Sequence, residues 1–168
     1  MPLSPSLERF NVSSKIGTDL PQAVVSEICS DNPPLRAVPV ISIDDAGFPH
    51  VALLALIEFF LFEKDIYFHV SASSRSREFL LSRPLCTCLF LSQRGCVYVK
   101  CKADTEFDME GRTVFKVRTQ SVIEDKIPDS ETGAFLLSGL DFKMGPESVL
   151  GLSTMRERII KRIRQRAI

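Results

Sequence analysis

The 168-residue chain has no excess of either charge, with Lys and Arg totalling 21 and Asp and Glu totalling 21. That balance excludes a uniformly basic nucleic-acid coat and leaves room for local patches at most. Apolar runs of membrane length are missing as well. The longest, Val51 to Phe62, is interrupted by Glu58 and falls far short of the roughly 20 residues a spanning helix needs. The opening MPLSPSLERF lacks a charged region followed by an apolar one, so no secretory signal is expected and the chain reads as soluble and cytoplasmic. Histidine is scarce. His50 and His69 disfavour a multi-histidine metal site, and no Ser/His/Asp or Cys/His spacing supports a hydrolase. Both read as structural histidines. No repeat and no low-complexity segment interrupts the chain.

What is present is ordinary globular composition, 45% hydrophobic and 25% charged, which suits one domain around one core. The five cysteines stand at 29, 86, 88, 96 and 101. An odd number without an export signal points to free thiols in a reducing compartment. Cys86 and Cys88 are too close for the usual zinc-binding pair; on a strand they share one face. They read as buried small hydrophobes, with redox or metal roles as the alternative.

Residues 1–20, rich in Ser and Pro, read as an N-terminal arm. Pro21 fits the first turn of a helix capped by Asp19, with Val24, Val25 and Ile28 on one stripe and Asn32-Pro33-Pro34 ending it. The period then changes. Ala37 to Ile43 is apolar and β-branched, Asp44 to Gly47 is a turn, and Pro49 to Glu58 resumes as a second strand. Ala52 to Phe62 has almost no polar alternation, so it reads as a strand covered on both faces, a buried helix being the competing reading. Glu58 within it reads as an edge or bulge position facing water, the alternative being a buried acid with a raised pKa.

Ile66 to Val70 is the third predicted strand. Ser71 to Pro84 reads as a hydroxyl-rich, basic loop entering a helix of about two turns. Leu85 to Ser92 and Cys96 to Phe107 follow as strands around a turn at Gln93-Arg94-Gly95. In the latter, Val97, Val99, Cys101 and Ala103 point one way and Tyr98, Lys100 and Lys102 the other. After a turn at Asp108 to Gly111, the sixth strand places Phe115, Val117 and Ile123 on one face. Six strands with a single helical excursion predict a mainly β fold, a small antiparallel barrel with flanking helices. The barrel domain spans 21–145. A basic helix over 146–168 follows, with Leu152, Met155, Ile159 and Ile163 on one face. Its cationic side reads as solvated, with contact to a partner subunit or to the acidic stretch Asp104 to Glu131 as the next reading. Nucleic-acid or membrane binding is not expected of it.

The segment that carries chemistry is Ser71 to Arg77. Hydroxyls and guanidinium groups at a helix start suit a phosphate, because the first-turn N–H groups lack partners, the helix dipole favours an anion, and Arg is a two-pronged donor. A Ser-rich loop that caps a helix and leaves its arginines in water is the competing reading.

The strand–loop–helix Tyr67 to Pro84 resembles that of the pyridoxamine 5′-phosphate oxidase-like, FMN-binding split-barrel family. Ser74-Arg75-Ser76 falls on the family's Ser-Arg-Lys triplet. Gly47 to Val51 resembles its hairpin into the flavin-contacting strand, and Val97 to Ala103 resembles its V-x-V-x-G-x-A strand. The likeness covers roughly residues 36 to 124. It implies a six-stranded split barrel, a homodimer, and FMN held at the subunit interface. Ser74, Arg75 and Ser76 would hold the flavin phosphate, Arg77 would supply the charge absent at Ser76, His69 and Val70 would make backbone and packing contacts, and Ser71 also belongs to the implied cofactor-binding set. Ala52 and Ile57 stand where the oxidases place an Arg and a Lys, Cys96 replaces a Gln, and the C-terminal Arg-x-His is absent. The implied activity is therefore a flavin-dependent oxidoreductase acting on a small molecule, not a pyridoxamine phosphate oxidase. The alternative is a non-enzymatic dimer that binds haem or a deazaflavin, or has lost its cofactor. No catalytic acid or base and no metal ligand is assigned.

Overall fold

A computed structural model describes residues 13–17, 19–31, 33–63, 65–92, 95–126, 141 and 143–166. The chain order is β1 (Ser13–Gly17), α1 (Gln22–Ile28), β2 (Ala37–Ile43), β3 (Pro49–Ala55), a 3-10 turn (Leu56–Glu58), β4 (Phe59–Phe62), β5 (Asp65–Ser71), α2 (Arg75–Ser82), β6 (Leu85–Ser92), β7 (Gly95–Met109), β8 (Arg112–Lys126) and α3 (Pro146–Arg166). Residues 1–12 of the expected arm, and Gln93 and Arg94 of an expected turn, lie outside the described residues.

Turn chemistry sets the hairpins. Met109 pairs with Arg112, which leaves Glu110 and Gly111 as a two-residue loop. Both have positive φ, 48° and 74°, the combination that matches the twist of two flanking strands. Gly47, with φ 87°, makes the turn between β2 and β3 possible, and the Gly47 amide donates to the Asp44 carbonyl at 3.1 Å.

The strands form one antiparallel sheet in the order β3-β2-β6-β7-β8-β5-β4, with β1 added on β8. β3 and β4 are therefore at opposite ends of the hydrogen-bonded path. Along the chain, however, they are separated by Leu56–Glu58 alone. Three residues can bridge the two ends only if the sheet curls until they meet. The result is a barrel closed by covalent chain and not by a ladder, in other words a split barrel. Its interior is filled from both ends of the path, by Phe59, Phe68, Phe90, Phe115, Val40 and Val99 among others. Leu80 of α2 joins this core and closes one end. A second, smaller core lies outside the barrel, where Ile159 and Ile163 of α3 meet Phe60, Tyr67, Phe107 and Val114.

Sequence expectation and structure agree on the mainly β antiparallel class, but eight strands form where six are expected, and the two differ locally as well. Ser13 to Gly17, assigned to an arm, pairs with β8. Ala52 to Phe62 is not one strand. The Glu58 carboxylate accepts a hydrogen bond from the Ala55 amide at 2.9 Å, and this side-chain bond folds Leu56–Glu58 into the turn that divides β3 from β4. Glu58 is consequently buried and does not face water. In β8 the pairing moves from Lys100↔Ser121 to Cys101↔Thr119, so Gln120 is a bulge that reverses the alternation. Val122, and not Ile123, shares the interior with Phe115 and Val117. Finally, Pro21 itself is the cap of α1 and no side chain caps that helix; its carbonyl accepts from Val24 and Val25 at 3.0 and 3.2 Å.

Three arginines of the basic α3 face make contacts within the chain while that face stays largely exposed to solvent. Arg158 donates to both carboxylate oxygens of Glu110 at 3.0 and 2.8 Å, Arg166 lies 3.5 Å from the Glu106 carboxylate, and Arg162 and Arg166 both stack on Phe107. The contact is to the acidic residues of β7 and its turn.

Phe59 is fully buried and touches the rings of Phe68 and Phe90 at 5.5 and 5.6 Å. Phe59→Ala should cost about 3–5 kcal/mol, the usual range for an aromatic emptied from a core. The expected readout is a lower urea midpoint with unchanged slope, whereas Leu150→Ala, at a position 68% exposed, should move stability by less than about 0.5 kcal/mol.

Candidate functional site

The start of α2 is built by serines. The Ser74 hydroxyl accepts from the Arg77 amide at 3.2 Å and donates to the Ser71 carbonyl at 2.8 Å. The Ser74 amide also reaches that carbonyl, at 3.0 Å, and the Ser71 and Ser73 hydroxyls bond each other at 3.0 Å. The chain therefore leaves β5 through a tight self-bonded turn, with Ser74 as the helix cap. Arg83, held extended before Pro84, ends the helix.

The seven residues singled out in the sequence diverge from there. Val70 points into the barrel core. His69 is on the opposite face of β5, fully buried. Ser71 and Ser74 are spent on the turn. Arg75 is exposed, and among the described residues no ion pair engages it. Ser76 is buried, its hydroxyl 3.1 Å from His50 Nε2, while the His50 ring meets Phe79 edge-on at 4.9 Å. Arg77 turns back onto the barrel rim. Its Nε donates to Thr113 Oγ1 at 2.6 Å, Thr113 donates to Asp108 Oδ1 at 2.5 Å, and Arg77 Nη2 is 3.5 Å from the Asp108 carboxylate. The helix start, the Arg75 side chain and the turn hydroxyls remain on one side; Ser76 and Arg77 are committed elsewhere. Ile57, aligned with a strand lysine, sits buried in the 3-10 turn, and Ala52 is half-buried on β3.

Sequence reading did not single out Arg112, Thr113 or Asp108. They are brought to the loop by the pairing Ser71↔Arg112 and Val70↔Thr113, which no local pattern reveals. Arg112 belongs to a second polar group. Its Nη1 lies 3.3 Å from Glu58 Oε1, and that same oxygen is 3.7 Å from His69 Nδ1. Burial depresses the His69 pKa from 6.5 to about 4, with the nearby Arg112 charge acting in the same direction. The imidazole is therefore neutral at neutral pH and its contact with Glu58 is not an ion pair. Neither ring nitrogen has a hydrogen-bond partner among the described residues. Burial raises the Glu58 pKa, against the Ala55 amide and Arg112. The Glu58–Arg112 contact fastens the seam turn to β8.

A cavity of about 320 Å³ opens away from the loop, between the end of α1, the 3-10 turn and α3. Cys29, Asp31, Ile57, Arg156, Glu157 and Arg164 are among its lining residues. Charges of both signs meet there, and Arg156 is tied to the Ile28 carbonyl.

Fold and seam together define the class: an antiparallel split barrel with its helices outside. No protein-family profile matches the chain, and no curated protein does. Among solved structures, a conserved hypothetical protein from Mycobacterium tuberculosis is similar with a TM-score of 0.51 and 12% identity, over 67% of this chain and 91% of that one. A putative pyridoxamine 5′-phosphate oxidase from Listeria innocua is similar at 0.47 and 12%, over 61% and 93%. The haem storage protein HutZ from Vibrio cholerae is similar at 0.48 and 9%, over 63% and 95%. At such identities the likeness is one of fold, and the first of the three carries it. The chain has the split-barrel fold that its sequence resemblance implies. Among the described residues, no helix is long and apolar enough to cross a membrane.

The buried histidine predicts a pH dependence. Between pH 6.5 and about 4 the unfolded chain takes up a proton that folded His69 refuses, so stability falls as pH falls through that window. The raised Glu58 acts oppositely, because the folded protein takes its proton first. His69→Leu should therefore lose less stability than the wild type across the same window, by a few kcal/mol. Urea unfolding at several pH values in that interval checks this. Parallel curves for the two proteins would show that His69 is not held neutral.

Proposed function

We propose that this protein is a homodimeric flavoprotein that binds FMN where two subunits meet and acts as an oxidoreductase on a small molecule. The observation that carries the reading is the Ser74-capped start of α2 at the barrel rim, with Arg75 exposed in its first turn. A phosphate suits it because first-turn amides, the helix dipole and a guanidinium all favour a dianion. Arg112, paired in register with Ser71 and shared with the Glu58 carboxylate at 3.3 Å, is a further cation on that edge. FMN, when bound, supplies the hydride- and electron-carrying chemistry. The chain's own part is to hold the phosphate through the α2 start and Arg75, and to orient the ring against the strand that leads there.

A second copy has a surface to meet. Ile43 of β2, Val51 and Leu53 of β3 and Leu85 of β6 share one outer sheet face and are 37–56% exposed. Such an uncovered apolar area suits an interface. The free thiols fit a reducing, cytoplasmic setting.

One observation favours a second reading, a dimer that takes haem or a deazaflavin or has no cofactor. Arg77 is held by Thr113 and Asp108, and Ser76 by His50. With Ser71 and Ser74 bonded within the turn, four of the donors expected on the phosphate are thus already satisfied.

The visible spectrum of the natively purified protein separates the readings. A band near 450 nm (about the flavin position) with FMN released on denaturation supports the first; a colourless protein after FMN addition and dialysis supports the second. Arg75→Ala should raise the FMN dissociation constant by about 10- to 100-fold, the scale of one lost charge-assisted contact. Arg77→Ala should instead lower thermal stability, because Thr113 and Asp108 lose the guanidinium they share. Equal FMN titrations for wild type and Arg75→Ala would remove this loop from the site.

A further inference from the structure

Three of the five cysteines converge inside the barrel. Cys86 and Cys88 are two residues apart on the inner face of β6, and Cys101 of β7 stands directly opposite Cys86. The Cys86 and Cys101 sulfurs are 3.5 Å apart, and all three sulfurs lie within 4.8 Å of one another. Their residues are 7%, 2% and 1% exposed, so Cys86 is the one nearest solvent. Packing alone asks for apolar volume at these positions; it does not ask for three sulfurs on one small triangle.

Charge decides what such a triangle can take. The electrostatic and hydrogen-bonding influences on these thiols come from one another and from burial, with no cation among them. Lys100 and Lys102 belong to the opposite face of β7. A thiolate complex of a monovalent ion such as copper(I) would carry two negative charges into this apolar core, and a charge buried without a partner is strongly disfavoured. Zinc would need a fourth ligand, and the cluster among the described residues has three. A trivalent thiophilic centre meets neither obstacle, because three thiolates neutralise it completely.

We propose that Cys86, Cys88 and Cys101 form a three-sulfur site for a trivalent metalloid of the arsenite or antimonite class. With arsenous acid, three As–O bonds break and three As–S bonds form. The three thiol protons leave with the three hydroxyls as water. Nothing is oxidised or reduced, and neither reactants nor product bear a charge. The site is independent of the flavin reading, since it is inside the barrel and uses no residue of the loop.

The test titrates the reduced full-length protein with sodium arsenite in the absence of oxygen, followed by native mass spectrometry and thiol counting. One arsenic per chain with three of the five thiols protected is expected, with three sulfur neighbours in arsenic X-ray absorption. Cys88→Ala should weaken binding by about tenfold or more, on the scale by which site groups count. Cys96→Ala, outside the triangle, should leave it unchanged. Cys88→Ser, closer in volume, gives the same readout if the alanine variant folds poorly. Protection of fewer than three thiols, unaltered binding in both Cys88 variants, or three-thiol binding of copper(I) without binding of arsenite would overturn the proposal.

Discussion

The two ends of an eight-stranded sheet are joined by a three-residue turn that the Glu58 carboxylate braces through the Ala55 amide. The bond lies within that turn, and the shortness of the connection is what obliges the sheet to curl. Around it the polar groups are economical. One carboxylate oxygen satisfies the turn amide, and the other faces Arg112 and a neutral His69. An acid in an otherwise apolar tract thus serves the architecture first, and its raised pKa follows from the burial that the closure requires.

Closure also arranges what the rim can offer. Because α2 plugs one end with Leu80 inside, its N-terminus and the serine turn are held at the edge of the barrel. There, inner-face residues such as Thr113 and outer-face residues such as Arg112 come within reach of the same loop. The two arginines of the loop then part. Arg77 closes a local circuit with Thr113 and Asp108, and Arg75 is left exposed. A similar division governs α3, whose apolar side buries Ile159 and Ile163 while its arginines settle on Glu106, Glu110 and the Phe107 ring. The neutral overall charge is mirrored locally, with cations and acids matched across elements.

How much of this was legible depended on alternation. β2, β5, β6 and β7 begin and end within a residue or two of their expected limits, because polar and apolar positions or clear turns frame them. Ala52 to Phe62 offered neither Gly nor Pro, and its break rests on a side-chain-to-backbone bond that composition does not signal. The Gln120 bulge likewise left no mark, so Ile123 was assigned to a face that Val122 occupies. For the candidate site, the loop, its cap and its helix could be read, since Ser before a short apolar helix has local meaning. Its surroundings could not. Seven near-consecutive residues pass from an alternating strand through a turn into a helix, and so they diverge. Arg112, Thr113 and Asp108 arrive through long-range pairing.

The thiols and the lysines of β7 carry one more consequence. A shift of that strand by a single position would exchange Val99, Cys101 and Ala103 for Lys100 and Lys102, driving two ammonium groups into the hydrocarbon interior and turning sulfur out to water. The strand whose inner side gathers the sulfurs thereby also proofreads the pairing of its neighbours.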